Sequence, residues 1–126
     1  MFERWMGLKA ISPAELFAWK QREAVTILDV NSSQSWHTAH VPGAVHLDPA
    51  EFSQDDLPAD RNAMLVFYCS NFLCRKAPNA ARRAKGMGYG NVYVMSAGIS
   101  GWQSASLPTE SGEPPAKAEP VSLAGA

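Results

Sequence analysis

Two short runs, Val25-Thr26-Ile27-Leu28 and Ala63-Met64-Leu65-Val66-Phe67-Tyr68, constrain this chain more than any other feature. Neither alternates apolar with polar positions, and the first is β-branched at three of its four residues. Strands of this kind need cover on both faces, as in a parallel sheet held between helices. The segments around them read as helices and turns. Ser12-Pro13-Ala14-Glu15 is a helix start: Ser12 can cap, Pro13 lacks an N–H that would be unpaired anyway, and Glu15 can close a capping box. That helix is predicted to continue to about Lys20. Asn31-Ser32-Ser33-Gln34-Ser35 opens a short helix ending near His37, Val41-Pro42-Gly43-Ala44 is a turn, and Val45-His46-Leu47 is a brief strand. Asp48-Pro49-Ala50-Glu51 reads as a cap with a first helical turn, and Leu57–Asn62 as a surface loop. Further on come a helix over Ala77–Met87 stopping at Gly88, a last strand Asn91–Met95, and Gly98-Ile99-Ser100-Gly101-Trp102 turning into a short helix. Strands alternating with helices predict an α/β domain with a parallel sheet covered on both faces.

Composition narrows the function. The 126 residues suit one domain with one real core. With 46% hydrophobic residues and a net charge of −1, the chain is not disordered as a whole and lacks the basic surplus of a nucleic-acid binder. No apolar run approaches a membrane span, and Met1–Ala10 carries Glu3 and Arg4 where a secretory signal would be apolar. Two cysteines are no disulfide scaffold, so a reducing, cytoplasmic setting is expected. Residues 1–10 read as an N-terminal extension and residues 11–108 as the domain. Residues 109–126 read as a disordered tail, rich in Pro, Ala and Glu from Ser111 onward. Phe2, Trp5 and Met6 stand at near-helical spacing and are expected to pack on the domain or on a second copy, making a monomer or homodimer rather than a membrane contact.

Cys69 directly follows the clearest strand. In parallel α/β sheets ligands bind at the carboxyl ends of strands, where loops run into helix N-termini. Amides converging there, with the helix dipole and Arg75 nearby, favour a thiolate or a bound anion. The same position also suits an inert cysteine ending a core strand.

The order and spacing of several segments resemble the rhodanese-like (sulfurtransferase) domain family. These are Ile11-Ser12-Pro13-Ala14-Glu15-Leu16, Ile27-Leu28-Asp29-Val30, His40-Val41-Pro42-Gly43-Ala44, Tyr68-Cys69, Ala80-Ala81, and Gly98-Ile99-Ser100-Gly101-Trp102. The resemblance implies a central, mainly parallel, five-stranded sheet flanked by helices on both faces. It also implies that Cys69 is catalytic, attacking the outer sulfur of a small anionic donor such as thiosulfate, or of a persulfide, to become a persulfide itself. A thiol acceptor, such as a thioredoxin-like protein or a small thiol, or else cyanide, would remove that sulfur. Ser70, Asn71, Phe72, Leu73, Cys74 and Arg75 would form the anion-binding loop, with Asp29 and His40 as supporting residues that fix loops and a turn. No cofactor and no metal are implied, since the histidines and cysteines lack ligand spacing.

The loop departs from the family pattern. Cys69 to Arg75 is a Cys-x5-Arg stretch, longer than the usual sulfurtransferase loop and similar to that of rhodanese-fold phosphatases and arsenate reductases, whose arginine grips the oxyanion. It has no glycine and two bulky apolar residues, Phe72 and Leu73, and Tyr68 stands where those phosphatases carry a histidine. Asn31 replaces an arginine common after Asp-Val. Cys74 lies five residues after Cys69 and is a candidate resolving thiol, or else packs at the helix start. Arg82, Arg83, Lys85 and Lys76 read as a solvated helix face, with steering of an anionic donor as the functional alternative. Sulfur transfer is the leading expectation. The alternatives are an oxyanion enzyme of the same fold and a non-catalytic or sulfur-relay binding module.

Overall fold

The two apolar runs lie side by side. Strand β2 (Thr26–Asp29) pairs in parallel with β4 (Met64–Tyr68), Ile27 opposite Val66 and Asp29 opposite Tyr68. The computed structural model describes residues 8–112. Within them β1 (Lys9–Ala10), β3 (Val45–His46) and β5 (Asn91–Val94) complete a five-stranded sheet in the order β1-β5-β4-β2-β3, parallel at every pairing. Four α-helices connect them: α1 (Pro13–Arg22), α2 (Ser33–Thr38), α3 (Lys76–Gly86) and α4 (Gly98–Ser104), with a 3-10 turn at Gln54–Asp56.

Successive strand residues face opposite sides of a sheet, and here each side has its own core. Leu65 and Phe67 join Leu28, Val92 and Val94 against Ala77, Ala80, Ala81 and Ala84 of α3. Val66 and Tyr68 join Ile27 and Met95 against Leu16 of α1 and Trp102 of α4. The small alanine face of α3 lets that helix lie close to the strands that lead into and away from it. The capping box predicted at Ser12 is present: Glu15 N–H donates to Ser12 Oγ (3.1 Å) and Ser12 N–H to Glu15 Oε1 (2.9 Å).

Three expectations need correction. Lys9 and Ala10, assigned above to an extension, form edge strand β1 against Tyr93 and Val94, and Leu8 is buried in the core. A two-residue strand has no period to read, and only the free edge of β5 creates it. The start of the supposed tail is also ordered. His40 and Glu110 exchange backbone hydrogen bonds of 2.8 Å, Gly112 N–H reaches His37 O, and Trp102 Nε1 donates to Pro108 O. Residues 113–126 and the Phe2, Trp5 and Met6 packing lie outside the described residues. Finally, Asp48 does cap a turn, accepting from Ala50 and Glu51 N–H, but no α-helix continues from it. The chain there crosses the core face, burying Phe52 and Leu57 instead of coiling on. Among the described residues no helix is long and apolar enough to cross a membrane.

Candidate active site

Cys69 is the first residue beyond the carboxyl end of β4, the central strand of the sheet, and is 2% exposed. The loop leaves it, turns at Asn71 and enters α3 at Lys76. Asn71 builds that turn with two atoms: its Oδ1 accepts from Leu73 N–H (2.9 Å) and its carbonyl from Cys74 N–H (3.0 Å). This folds Cys74 back over Cys69, and the two are joined by a disulfide with their Cα atoms 6.4 Å apart.

A cavity of about 340 Å³ opens beside the disulfide. The loop contributes Cys69, Asn71, Phe72, Leu73, Cys74 and Arg75 to its wall, and the carboxyl end of β5 contributes Val94, Met95 and Ser96. Ala77 and Pro78, in the first turn of α3, close it. Proline is tolerated there because first-turn N–H groups have no partner within the helix. The wall is largely apolar, as the bulky loop residues suggest, and Phe72 and Leu73 are about three-quarters exposed, at 75% and 77%.

The loop start is held from two sides. From α4, Ile99 N–H donates to Cys69 O and Ser100 N–H to Ser70 O, both at 2.9 Å. From the β2 side, Ser70 Oγ donates to Asn31 Oδ1 (2.9 Å), and Asn31 N–H donates to Asp29 Oδ1 (2.8 Å). Tyr68 hydroxyl donates to Asp29 Oδ2 and accepts from Val41 N–H at 3.0 Å. Asp29 thus sits beneath the loop as a buried anchor. Burial pushes its carboxyl above the ordinary value of 3.8, opposed first by the Tyr68 hydrogen bond and then by Asn31 N–H. Burial and the facing carboxylate push the Tyr68 phenol up as well.

Of the site residues predicted from sequence, Cys69, Asn71, Phe72, Leu73, Cys74 and Arg75 meet at the cavity. Ser70 turns away from it toward Asn31. Asp29 is wholly buried among its hydrogen-bond partners. His40 does not line the cavity: its ring stacks on Trp36 at 3.5 Å and its Nδ1 lies 2.9 Å from Trp36 O. A cradle made of all six loop amides is not what forms here, because those of Leu73 and Cys74 are bonded to Asn71. The wall residues Ser96 and Met95 went unnoticed in the sequence. Their signal was available: they follow the strand next to β4, at the same end of the sheet. Among the described residues no group of three or more metal-binding side chains converges.

The rhodanese-like domain family matches residues 12–105. The chain is 34% identical over 107 residues to the HTH-type transcriptional regulator Rv0324 of Mycobacterium tuberculosis, an alignment taking in 83% of this chain and 46% of the regulator. It therefore spans about half the length of that relative. It is 29% identical over 105 residues to the thiosulfate sulfurtransferase GlpE of Haemophilus influenzae strain PittEE, covering 83% of this chain and 97% of that protein. In structure it is similar to a thiosulfate sulfurtransferase from Pseudomonas aeruginosa, with a TM-score of 0.73 and 27% identity, over 84% of this chain and 20% of the other.

Proposed function

This chain belongs to the rhodanese-like domain family, and on that premise we propose that it is a sulfurtransferase working through a persulfide on Cys69. The observation that carries this reading is the position of Cys69, at the carboxyl end of β4 and in the wall of a cavity of about 340 Å³ that Arg75 also lines. Relatives of nearly the same length named thiosulfate sulfurtransferase support it at the level of the reaction class.

The working form is the reduced one. Once the Cys69–Cys74 bond is opened by two electrons from a thiol reductant, Cys69 can ionise. The start of α3 and the positive charge of Arg75, a residue of the cavity wall, favour the thiolate. The thiolate attacks the outer sulfur of thiosulfate, the sulfur–sulfur bond of the donor breaks, and sulfite leaves with the electron pair. An acceptor thiolate then takes the outer sulfur from Cys69 and becomes a persulfide, returning the Cys69 thiolate. A small anionic sulfur donor and a small thiol or a thiol protein are the partners this requires, and a reducing cytoplasm suits the cycle.

Arg75 in the wall also favours an oxyanion enzyme of the same fold. One experiment separates the readings. Reduced protein is incubated with thiosulfate, and its intact mass is recorded at early times. One added sulfur, absent in Cys69→Ser, supports transfer. No adduct with thiosulfate or a small persulfide, together with turnover of an aryl phosphate, would replace it by the phosphatase reading. Neither signal would leave a binding module, the role consistent with the regulator-sized relative.

A further inference from the structure

We propose that Cys74 is a resolving thiol, so that the loop releases hydrosulfide as well as passing sulfur to an acceptor; this rests on the sulfurtransferase reading above. The decisive geometric fact is which sulfur Cys74 reaches. Its Sγ is bonded to Cys69 Sγ itself. In a Cys69 persulfide that atom is the inner sulfur. The outer sulfur is one bond further on, and the cavity that Cys69 lines is the space available to it.

Attack by Cys74 at the inner sulfur forms the Cys69–Cys74 disulfide, breaks the persulfide bond and expels the outer sulfur as hydrosulfide. The electrons balance: the transferred sulfur is reduced, and two thiols are oxidised to a disulfide. Over a full turn thiosulfate and one dithiol give sulfite, hydrosulfide and one disulfide. An external dithiol restores the pair by thiol–disulfide exchange.

The loop is built for closure. Asn71 carries two of the bonds that turn the chain back, one from its side chain and one from its carbonyl, and both place Cys74 over Cys69. The anchor residues Ile99, Ser100 and Asn31 fix the Cys69 end, at Cys69 O, Ser70 O and Ser70 Oγ. Exposure is unequal as well. Cys69 is buried and Cys74 is partly exposed, so an incoming reductant thiolate meets Cys74 Sγ first. That attack leaves the mixed disulfide on Cys74 and frees Cys69 as the thiolate needed for the next donor.

A single-turnover experiment tests this. Full-length protein is reduced with a phosphine, freed of reductant and mixed with thiosulfate in the absence of added thiol. Sulfite, sulfide and the intact mass after alkylation are followed together. The wild-type chain is expected to release about one sulfide for each sulfite and to end as the unalkylated disulfide. Cys74→Ser and Cys74→Ala are expected to release sulfite, keep the added sulfur on Cys69 and release no sulfide. Two substitutions guard against a folding defect of either one. Sulfite release by wild type with a stable persulfide and no sulfide would overturn the resolving role and leave sulfur transfer standing. Equal sulfide from wild type and both Cys74 variants would also overturn it. Absence of sulfite and of any adduct, with thiosulfate and with a small persulfide donor, would overturn both readings.

Discussion

Gly98 lies directly against the first peptide of the loop: a Cβ placed on it would come within 2.5 Å of the Ser70 carbonyl carbon and 2.6 Å of Cys69 O. Its φ of +66° is also in the left-handed region. The close approach is what allows Ile99 and Ser100 N–H to hold the Cys69 and Ser70 carbonyls. Gly98→Ala should therefore cost about 1–3 kcal/mol through overpacking, plus roughly 1 kcal/mol from the backbone conformation. Gly90, where a Cβ would meet nothing within 4 Å, is the control. Gly90→Ala should stay within about 0.5 kcal/mol of wild type. Denaturant titration reads both, and the rate of sulfur loading should fall only for Gly98→Ala.

Removing the Tyr68 hydroxyl should be felt as a loss of stability that depends on pH. Tyr68→Phe leaves Asp29 Oδ2 and Val41 N–H buried without this partner, a cost of about 1–3 kcal/mol. The sign of the pH effect follows from burial. Asp29 has its pKa raised in the fold, so the native state holds the proton more tightly than the unfolded chain. That contribution is complete below the ordinary value of 3.8 and is lost as pH rises through the folded value. The Tyr68 bond opposes the rise, so Tyr68→Phe should extend the fall to higher pH. Denaturation midpoints at several pH values check this, and parallel curves for the two proteins would refute it.

Arg75 lines the cavity on an exposed segment and should act on an anionic donor through charge. Arg75→Gln is expected to slow loading from thiosulfate several-fold at low ionic strength. The deficit should shrink in high salt, where the Debye length falls to about 3 Å at 1 M. Stopped-flow loading at two salt concentrations measures it. A deficit unchanged by salt would mean a structural role instead.

Phe72 and Leu73 contribute little to stability despite their size, because they remain 75% and 77% exposed. Replacing either with serine should change stability by no more than about 0.5 kcal/mol. Phe67→Ala in the fully buried core should cost about 3–5 kcal/mol. Thermal or denaturant unfolding of the three variants compares them.

Much of this architecture could be read from local features. The paired apolar runs become adjacent strands β2 and β4, the Ser12 capping box opens α1, and the positive φ at Gly43 and Gly88 falls in the expected turn and helix stop. Each is encoded within a few residues, through burial pattern or backbone permissiveness. Edge strand β1 could not be read, because two residues carry no periodicity and depend on β5 for their pairing.

What the sequence by itself determined is the alternation of strand and helix and the place of Cys69 at a strand end, since burial on both faces and end-capping act over short range. Only the tertiary structure decided the rest: Gly98 against Ser70, Tyr68 on Asp29, Asn31 under Ser70, and Glu110 beside His40. Those partners are far apart along the chain, and no spacing rule connects them. Cys74 over Cys69 is a nearer case, yet it too depends on the turn that Asn71 holds and on the anchoring of the loop start by α4. The physical reason is common to all: a buried polar atom or a close backbone contact is satisfied by whatever the packed sheet brings alongside it.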